Sequence, residues 1–182
     1  DQSRVHPFTV PKVMSNSGAS FLSQELGVTG PVLSFSAACS SANHALGHAF
    51  WMVRNGQLDA ALAGGSEAPS CLGYMRAWES MRVMDPERCR PFSKNRQGMT
   101  LGEGGAVLML ESLTSAQQRG AKIYAEMVGF GMSSDASNTT KPLVEGAAAS
   151  MRSALRDAEL GPSTIDHINA HGTGTLLNDV TE

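Results

Sequence analysis

The sequence predicts an α/β fold in which helices cover buried, largely parallel sheets. Apolar residues alternate along the chain between helical spacing and short continuous runs. Small residues are abundant, with 19 glycines among 182 residues, and the aromatic content is only 5%. Strands that alternate with helices are typical of sheets covered on both faces. The small residues indicate a closely packed interior.

The first part of the chain predicts three helices and two strands. Gly27 and Asn55-Gly56 are expected to end the first two helices, because glycine readily adopts the left-handed conformation of a helix stop. The helices are expected over 15–26, 42–54 and 72–81, and the strands over 32–36 and 58–63.

A polar loop rich in proline and arginine, over 85–98, precedes the remaining predicted elements. Strands are expected over 106–110, 123–130 and 165–170, and helices over 115–119 and 146–160. The last of these strands leads directly into His171.

Charge, hydropathy and cysteine content exclude several classes of protein. With 14 basic and 17 acidic residues the net charge is −3, so nucleic acid is not an expected partner. No apolar run reaches the roughly 20 residues of a membrane span, and the first residues lack a signal-peptide pattern. The spacing of Cys39, Cys71 and Cys89 fits no zinc motif. We therefore expect no metal, reduced thiols and a cytoplasmic location.

Cys39 is the first candidate catalytic residue, within Ser36-Ala37-Ala38-Cys39-Ser40-Ser41-Ala42. It lies between a predicted strand and a predicted helix, where the positive end of the helix favours a thiolate and free N–H groups can hold an oxyanion. Small neighbours leave room for an acyl thioester. The alternative is a small buried apolar side chain, which is where most cysteines belong. Cys71 and Cys89 lack this setting.

His171 is the second candidate, within Asn169-Ala170-His171-Gly172-Thr173-Gly174-Thr175. Ligands collect at strand ends in α/β sheets, and glycines allow a substrate to approach the backbone closely. Thr173 and Thr175 add hydroxyl groups. A structural histidine is the alternative for His171.

Ser66 offers a rival catalytic residue. Gly64-Gly65-Ser66-Glu67-Ala68 approximates the nucleophile elbow of serine hydrolases, and Asp135 and His171 follow in the order of that triad. Pro69 lies three residues after Ser66 and argues against this interpretation. His44 and His48 share a helix face, but the glutamate of the HExxH zinc motif is missing.

Six stretches together carry a family resemblance, and they occur in order over nearly the whole chain. They are 36–44, 58–67, Arg90-Pro91-Phe92, 101–104, 131–136 and 171–175. The chain in this respect resembles the β-ketoacyl-[acyl carrier protein] synthases, and most closely the elongating condensing enzymes of bacterial type II fatty acid synthesis. Segments 8–14 and 77–79 also resemble a rhizobial, nodulation-type branch of that family.

The resemblance implies a thiolase-like fold, in which two similar halves stack as five alternating layers, α/β/α/β/α. Residues 1–111 would be the latter part of the N-terminal half, with the nucleophile. Residues 112–182 would be the first part of the C-terminal half, with the first catalytic histidine. The family's second catalytic histidine and its lysine follow later, so we expect an internal fragment that is inactive alone. The full-length protein would be a homodimer.

The resemblance also implies a role for each candidate residue. Cys39 would take an acyl chain from the phosphopantetheine arm of acyl carrier protein, and His171 would hold the malonyl thioester carbonyl while CO₂ leaves. Thr173 and Thr175 would hydrogen-bond the arm, and Glu182 would be a supporting acidic residue. Since the arm belongs to the carrier protein, no cofactor of the enzyme's own is expected.

Three further expectations concern carrier docking, position 138 and a non-catalytic alternative. Lys94 and Arg96 are expected to dock the acidic carrier protein, with a solvated basic loop as the alternative. Asn138 stands where elongating enzymes often carry a histidine, which leaves a role at that position open. A non-catalytic partner of the chain-length-factor kind is a further alternative, although such partners usually lack the thiol of Cys39.

Overall fold

A computed structural model describes residues 5–182, which form seven α-helices, one 3₁₀ turn and two strands. The helices are α1 Thr9–Val13, α2 Ser17–Leu26, α3 Ser41–Arg54, α4 Leu72–Ser80, α5 Leu113–Gln118, α6 Val144–Asp157 and α7 Asn178–Thr181. The strands are β1 Ala60–Glu67 and β2 Gly104–Glu111, and the 3₁₀ turn is Pro162–Thr164.

The helices confirm the helical predictions to within a few residues. Helix α2 ends at Gly27, whose φ of 64° is left-handed, as expected for a glycine stop. Helix α3 ends at Arg54 before Asn55. Ser112 caps the N-terminus of α5, because its side chain accepts a hydrogen bond from the Ser115 N–H, and the helix ends shortly before Gly120.

The sheet consists of β1 and β2, which pair antiparallel from Ala60 opposite Glu111 to Glu67 opposite Gly104. The expectation of parallel pairing is therefore wrong for the strands described. Helix α3 packs against β1. A Cβ added to Gly65 of β1 would lie 2.9 Å from the Ala42 Cβ, so glycine is what allows helix and strand to approach so closely.

Three predicted strands, over 32–36, 123–130 and 165–170, are absent from the described part of the chain. Those predictions are wrong because a strand forms only where its N–H and C=O groups pair with a neighbouring strand. An apolar run in the sequence does not indicate which strand lies alongside it. The three segments run instead without regular secondary structure.

The interior of the described chain is built from small residues and two phenylalanine rings. Its buried apolar residues are Ala49, Phe50, Ala63, Ala116 and Phe130. The Phe130 ring contacts α3 at Gly47, where an added Cβ would overlap it. By contrast, Val107, Leu108 and Met109 of β2 are each about half exposed. The packing around Phe130 joins α3 to the second part of the chain.

Across residues 5–182 no helix combines the length and the apolar character that crossing a membrane requires.

Candidate active site

Cys39 lies on a tight turn immediately before α3. Ala38 has a φ of 48°, which is left-handed and uncommon for a residue with a Cβ. Three hydrogen bonds close this turn: the Ala37 N–H donates to Ser41 Oγ at 2.9 Å, and the Ser40 and Ser41 N–H groups donate to the Ala37 and Ala38 carbonyls, each at 3.1 Å. The thiol is free and exposed. The turn therefore presents Cys39 at the positive end of a 14-residue helix.

A cavity of about 320 Å³ lies beside this turn, enclosed by the first turn of α3, residues 130–135 and the first turns of α6. Its lining includes Ser40, Asn43, His44, Phe130, Met132 and Ser133. His44 packs edge-on against Phe130, with ring centroids 5.9 Å apart, and His48 stacks on Phe35 at 4.6 Å. Both histidines thus belong to an aromatic cluster.

His171 begins a loop whose backbone is held by Glu182. The His171 and Gly172 N–H groups donate to the two carboxylate oxygens of Glu182, each at 2.8 Å, and the Asn178 side chain donates to the same carboxylate at 2.9 Å. The His171 side chain is exposed. Gly172 and Gly174 have φ values of 55° and 73°, a conformation that glycine adopts without strain. Glu182 therefore fixes the loop and leaves the imidazole free.

Thr173 and Thr175 lie in the same loop with their hydroxyl oxygens 2.8 Å apart. Both are half-buried. The Cys89 thiol donates to the Thr173 carbonyl at 3.2 Å, so the polar loop contacts the backbone that carries these hydroxyls. The structure thus brings His171, Thr173 and Thr175 together on one loop, and Glu182 at the end of α7 holds the start of that loop.

Asp179 of α7 contacts this loop, and it is not among the site residues that the sequence predicts. Its side chain is 1% exposed and accepts hydrogen bonds from the Gly174 N–H at 3.0 Å and the Phe92 N–H at 2.7 Å. The only sequence signal was an acidic residue directly after a glycine- and threonine-rich loop. Its partner at Phe92 is 87 residues away and could not be read from spacing.

Lys94 and Arg96 occupy different environments within the polar loop. Lys94 is exposed. The Arg96 side chain is only 15% exposed and donates to the carbonyls of Ser93, Thr175 and Leu176 at 3.1–3.2 Å. Carrier docking by both residues stays a prediction, and the contacts of Arg96 favour a structural role for it.

The base of the polar loop is closed by an ion pair between Asp85 and Arg90, whose nearest atoms are 2.8 Å apart. The Arg90 guanidinium holds the pKa of the Asp85 carboxyl below its usual range, and the N–H groups of Glu87 and Arg88 act in the same direction. Asp85 is 4% exposed. The ion pair therefore links the two ends of the segment from Asp85 to Arg90, which contains Cys89.

The serine-hydrolase alternative finds no support. Ser66 lies inside β1, opposite Gly105, whereas a nucleophile elbow needs a sharp turn between strand and helix. The Asp135 carboxylate accepts a hydrogen bond from the Leu143 N–H at 2.7 Å. Neither residue has the setting of a catalytic triad.

Cys39 and the His171 loop lie on separate parts of the chain, and no hydrogen bond within residues 5–182 joins them. An exposed thiol on a tight turn at the positive end of a helix is the setting of a nucleophilic cysteine. The fold and the site therefore point to the class of proteins that can form covalent intermediates on a cysteine.

Comparison with known proteins defines the family. Residues 1–116 match the family model of the beta-ketoacyl synthase N-terminal domain, and residues 124–182 match that of the C-terminal domain. The chain belongs to the beta-ketoacyl synthase family. The predicted division into 1–111 and 112–182 stays a prediction.

Two curated relatives place the chain within that family. Nodulation protein E of Rhizobium leguminosarum bv. trifolii is 47% identical over 179 residues, which cover 98% of this chain and 45% of that protein. The 3-oxoacyl-[acyl-carrier-protein] synthase 2 of Staphylococcus aureus is 39% identical over 186 residues, with 98% and 46% covered. The chain therefore spans about 45% of the length of these relatives.

Solved structures show the same fold. A beta-ketoacyl synthase from Burkholderia phymatum STM815 superposes with a TM-score of 0.95 at 33% identity, over 100% of this chain and 46% of that one. The ishigamide ketosynthase/chain length factor gives 0.93 at 38%, over 98% and 44%. A type II PKS acyl-carrier protein in complex with its ketosynthase gives 0.92 at 33%, over 97% and 46%. The thiolase-like fold implied by the sequence is confirmed.

Proposed function

We propose that the full-length gene product is a 3-oxoacyl-[acyl carrier protein] synthase that extends an acyl chain by decarboxylative Claisen condensation. The observation that carries this proposal is the exposed thiol of Cys39 on the left-handed turn before α3. The curated relative from S. aureus bears the name of this activity. The name of the other relative, nodulation protein E, specifies neither an acyl chain nor a reaction, so the proposal names no particular acyl chain or pathway.

The first half-reaction loads the enzyme. The Cys39 thiolate attacks the thioester carbonyl of an acyl carrier protein, a bond forms between sulfur and the acyl carbon, and the phosphopantetheine thiol leaves. The helix N-terminus behind Cys39 favours negative charge on the attacking sulfur and on the oxyanion of the tetrahedral intermediate. Thr173 and Thr175 offer two hydroxyls, 2.8 Å apart, for hydrogen bonds to the amide-containing arm.

The second half-reaction forms the carbon–carbon bond. His171 donates a hydrogen bond to the thioester carbonyl of malonyl carrier protein, so that the enolate left by departing CO₂ is stabilised. The enolate carbon attacks the acyl carbonyl on Cys39, the bond to sulfur breaks, and the thiolate is restored. The product is a 3-oxoacyl thioester. His171 suits this role because Glu182 binds its backbone N–H and leaves the exposed ring free.

The partner is proposed to be an acyl carrier protein, which also brings the phosphopantetheine arm, so that the enzyme needs no cofactor of its own. The solved complex of a ketosynthase with its acyl-carrier protein supports this partner class. Lys94, exposed on the polar loop, is proposed to contact the acidic carrier. A homodimer, a cytoplasmic location and inactivity of residues 1–182 in isolation are further proposals that rest on the family.

Covalent labelling of the full-length gene product tests the proposal. After incubation with an acyl thioester, peptide mass spectrometry is expected to find the acyl group on Cys39. Cys39→Ser is expected to reduce condensation to background, because serine is a far weaker nucleophile. Cys39→Gln is expected to abolish condensation while malonyl decarboxylation continues.

Cys71 supplies the matched control, since it is also a free and exposed cysteine. Cys71→Ser is expected to leave condensation unchanged. Equal acylation of Cys71 and Cys39 would contradict the assignment, and so would condensation retained by Cys39→Ser. An unlabelled Cys39 would favour the alternative of a non-catalytic, chain-length-factor-like partner.

A further inference from the structure

Arg96 joins two segments that are far apart in sequence. From the polar loop its guanidinium donates to the Thr175 carbonyl through Nε and to the Leu176 carbonyl through Nη2, both at 3.2 Å. Nη1 donates to the Ser93 carbonyl at 3.1 Å. Each of the three nitrogens thus has a backbone acceptor, and two of these acceptors belong to the loop that carries His171. The arginine guanidinium suits these three acceptors because it is a planar fork whose N–H groups point in fixed directions.

Asp179 completes the junction from the other side. Its carboxylate lies 3.6 Å from Arg96 Nε and is 1% exposed. It also accepts the N–H groups of Phe92 and Gly174, one from each segment. Phe92, which makes one of these hydrogen bonds, has a left-handed φ of 59°. Since a buried charge needs a partner, Arg96 and Asp179 depend on each other.

The two segments also approach each other too closely for side chains. A Cβ added to Gly174 would lie 2.6 Å from the Gly98 carbonyl oxygen and 3.0 Å from the Cys89 sulfur. The backbone that carries Thr173 and Thr175 is therefore packed directly on the polar loop. A shift of the Arg96 fork moves the carbonyl of Thr175, and with it the hydroxyl pair.

We infer that Arg96 is a positioning residue for condensation, which sets the Thr173 and Thr175 hydroxyls and the His171 loop through its hydrogen-bond fork. This inference rests on the proposed function, and it differs from carrier docking. A docking cation must be exposed and must have free charge, whereas Arg96 is mostly buried and lies beside Asp179. Lys94, two residues away, has the exposure that docking needs.

Arg96→Lys in the full-length gene product separates the two roles, because it keeps the positive charge and loses the planar fork. Condensation is measured with malonyl carrier protein and, separately, with malonyl-pantetheine, which has the arm and no carrier protein. We expect kcat to fall by roughly ten- to a hundred-fold with both substrates, since small misplacements of positioning groups have effects of this size. Arg88→Lys, in the same loop at an exposed position, is the matched control and should behave as wild type.

The rate of Cys39 alkylation by iodoacetamide reports whether the rest of the site is intact, because alkylation needs neither the arm nor the His171 loop. We expect Arg96→Lys to be alkylated at the wild-type rate. The inference is overturned if Arg96→Lys keeps wild-type kcat, if its defect appears only with the carrier-linked substrate, or if alkylation and thermal midpoint fall together with activity. An inactive wild-type enzyme in the same assay would instead count against the proposed function.

Discussion

At position 47 helix α3 has no side chain, and the ring of Phe130 fills the space beside it. Glycine inside a helix is unfavourable, by roughly 1 kcal/mol relative to alanine. Its presence here follows from the contact with a buried aromatic ring that lies 83 positions along the chain. The close approach of the Phe130 ring to the helix requires a residue without a Cβ at this position.

Gly47→Ala is expected to destabilise the protein by about 1–3 kcal/mol, because the added methyl group overlaps the Phe130 ring and forces the helix or the ring to move. Urea unfolding followed by circular dichroism measures the change. Gly18→Ala in α2 is the control, since an added Cβ there meets no atom within 4 Å. Equal effects of the two substitutions would contradict the packing argument.

Some residues of the candidate site could be identified from the sequence, and others could not. The Cys39 turn and the loop from His171 to Thr175 carry local patterns, so both could be selected from the sequence. The buried position of Arg96 and the role of Asp179 could not, because their partners lie 79 to 87 residues away. Charge in a polar loop suggested docking for Arg96, whereas its hydrogen bonds link it to the His171 loop.

Between secondary structure elements, Asp157 at the end of α6 connects three parts of the chain. Its carboxylate accepts hydrogen bonds from Trp51 Nε1 at 3.1 Å and from the Phe130 N–H at 2.9 Å, and it forms an ion pair with Arg54 at 2.6 Å. Trp51 and Arg54 belong to α3. One carboxylate thus ties α3 and α6 to the segment that contains Phe130.

Asp157→Asn is expected to lower the free energy of unfolding by about 1.5–3 kcal/mol, because an amide loses the charge that strengthens all three hydrogen bonds. The urea midpoint of the full-length gene product measures this effect. Asp166→Asn, at an exposed position, should change it by less than about 0.5 kcal/mol. A loss no larger than that of the control would show that the three contacts contribute little.

Local sequence patterns predict the helices of this chain better than its strands. Helices α3, α4 and α6 are predicted to within a few residues, because helical hydrogen bonds are local. Helix α3 also ends at the expected Asn55-Gly56 stop. The strands predicted over 32–36, 123–130 and 165–170 depended on partners that no local pattern names. Strand β1 extends past the predicted residue 63 through Gly64 and Gly65, which pair with Val107 and Ala106.

At the scale of the whole molecule, three carboxylates within the described residues 5–182 have the same electrostatic surroundings. Arginine side chains hold the pKa values of Asp85, Glu111 and Asp157 below their usual range, with backbone or side-chain N–H and O–H donors acting in the same direction. A carboxyl group with a lowered pKa in the folded state binds fewer protons than in the unfolded state. Protonation in acid therefore favours unfolding.

We expect the urea midpoint to be nearly constant well above the unfolded-state pKa values of about 3.9 for aspartate and 4.3 for glutamate, and to fall as the pH is lowered through and below them. The stabilisation is fully present above those values and is lost as the pH falls through the lower pKa values of the folded state. Urea titrations between pH 7 and pH 3 measure the trend. A midpoint that stays constant or rises toward pH 3 would contradict it.

The hydrogen bond between Asp179 and the Phe92 N–H has a further consequence for the order of folding. It closes a loop of 87 residues, and the contacts of Arg96 and Cys89 with the same segment close loops of 79 and 84 residues. Contacts of such separation carry a large loop-closure entropy and form late in folding. The turn before α3, in contrast, is closed by hydrogen bonds between residues at most four apart. During synthesis the Cys39 turn can therefore reach its local geometry well before the His171 loop does, since the contact of Asp179 with the polar loop can form only after residue 179 has been made.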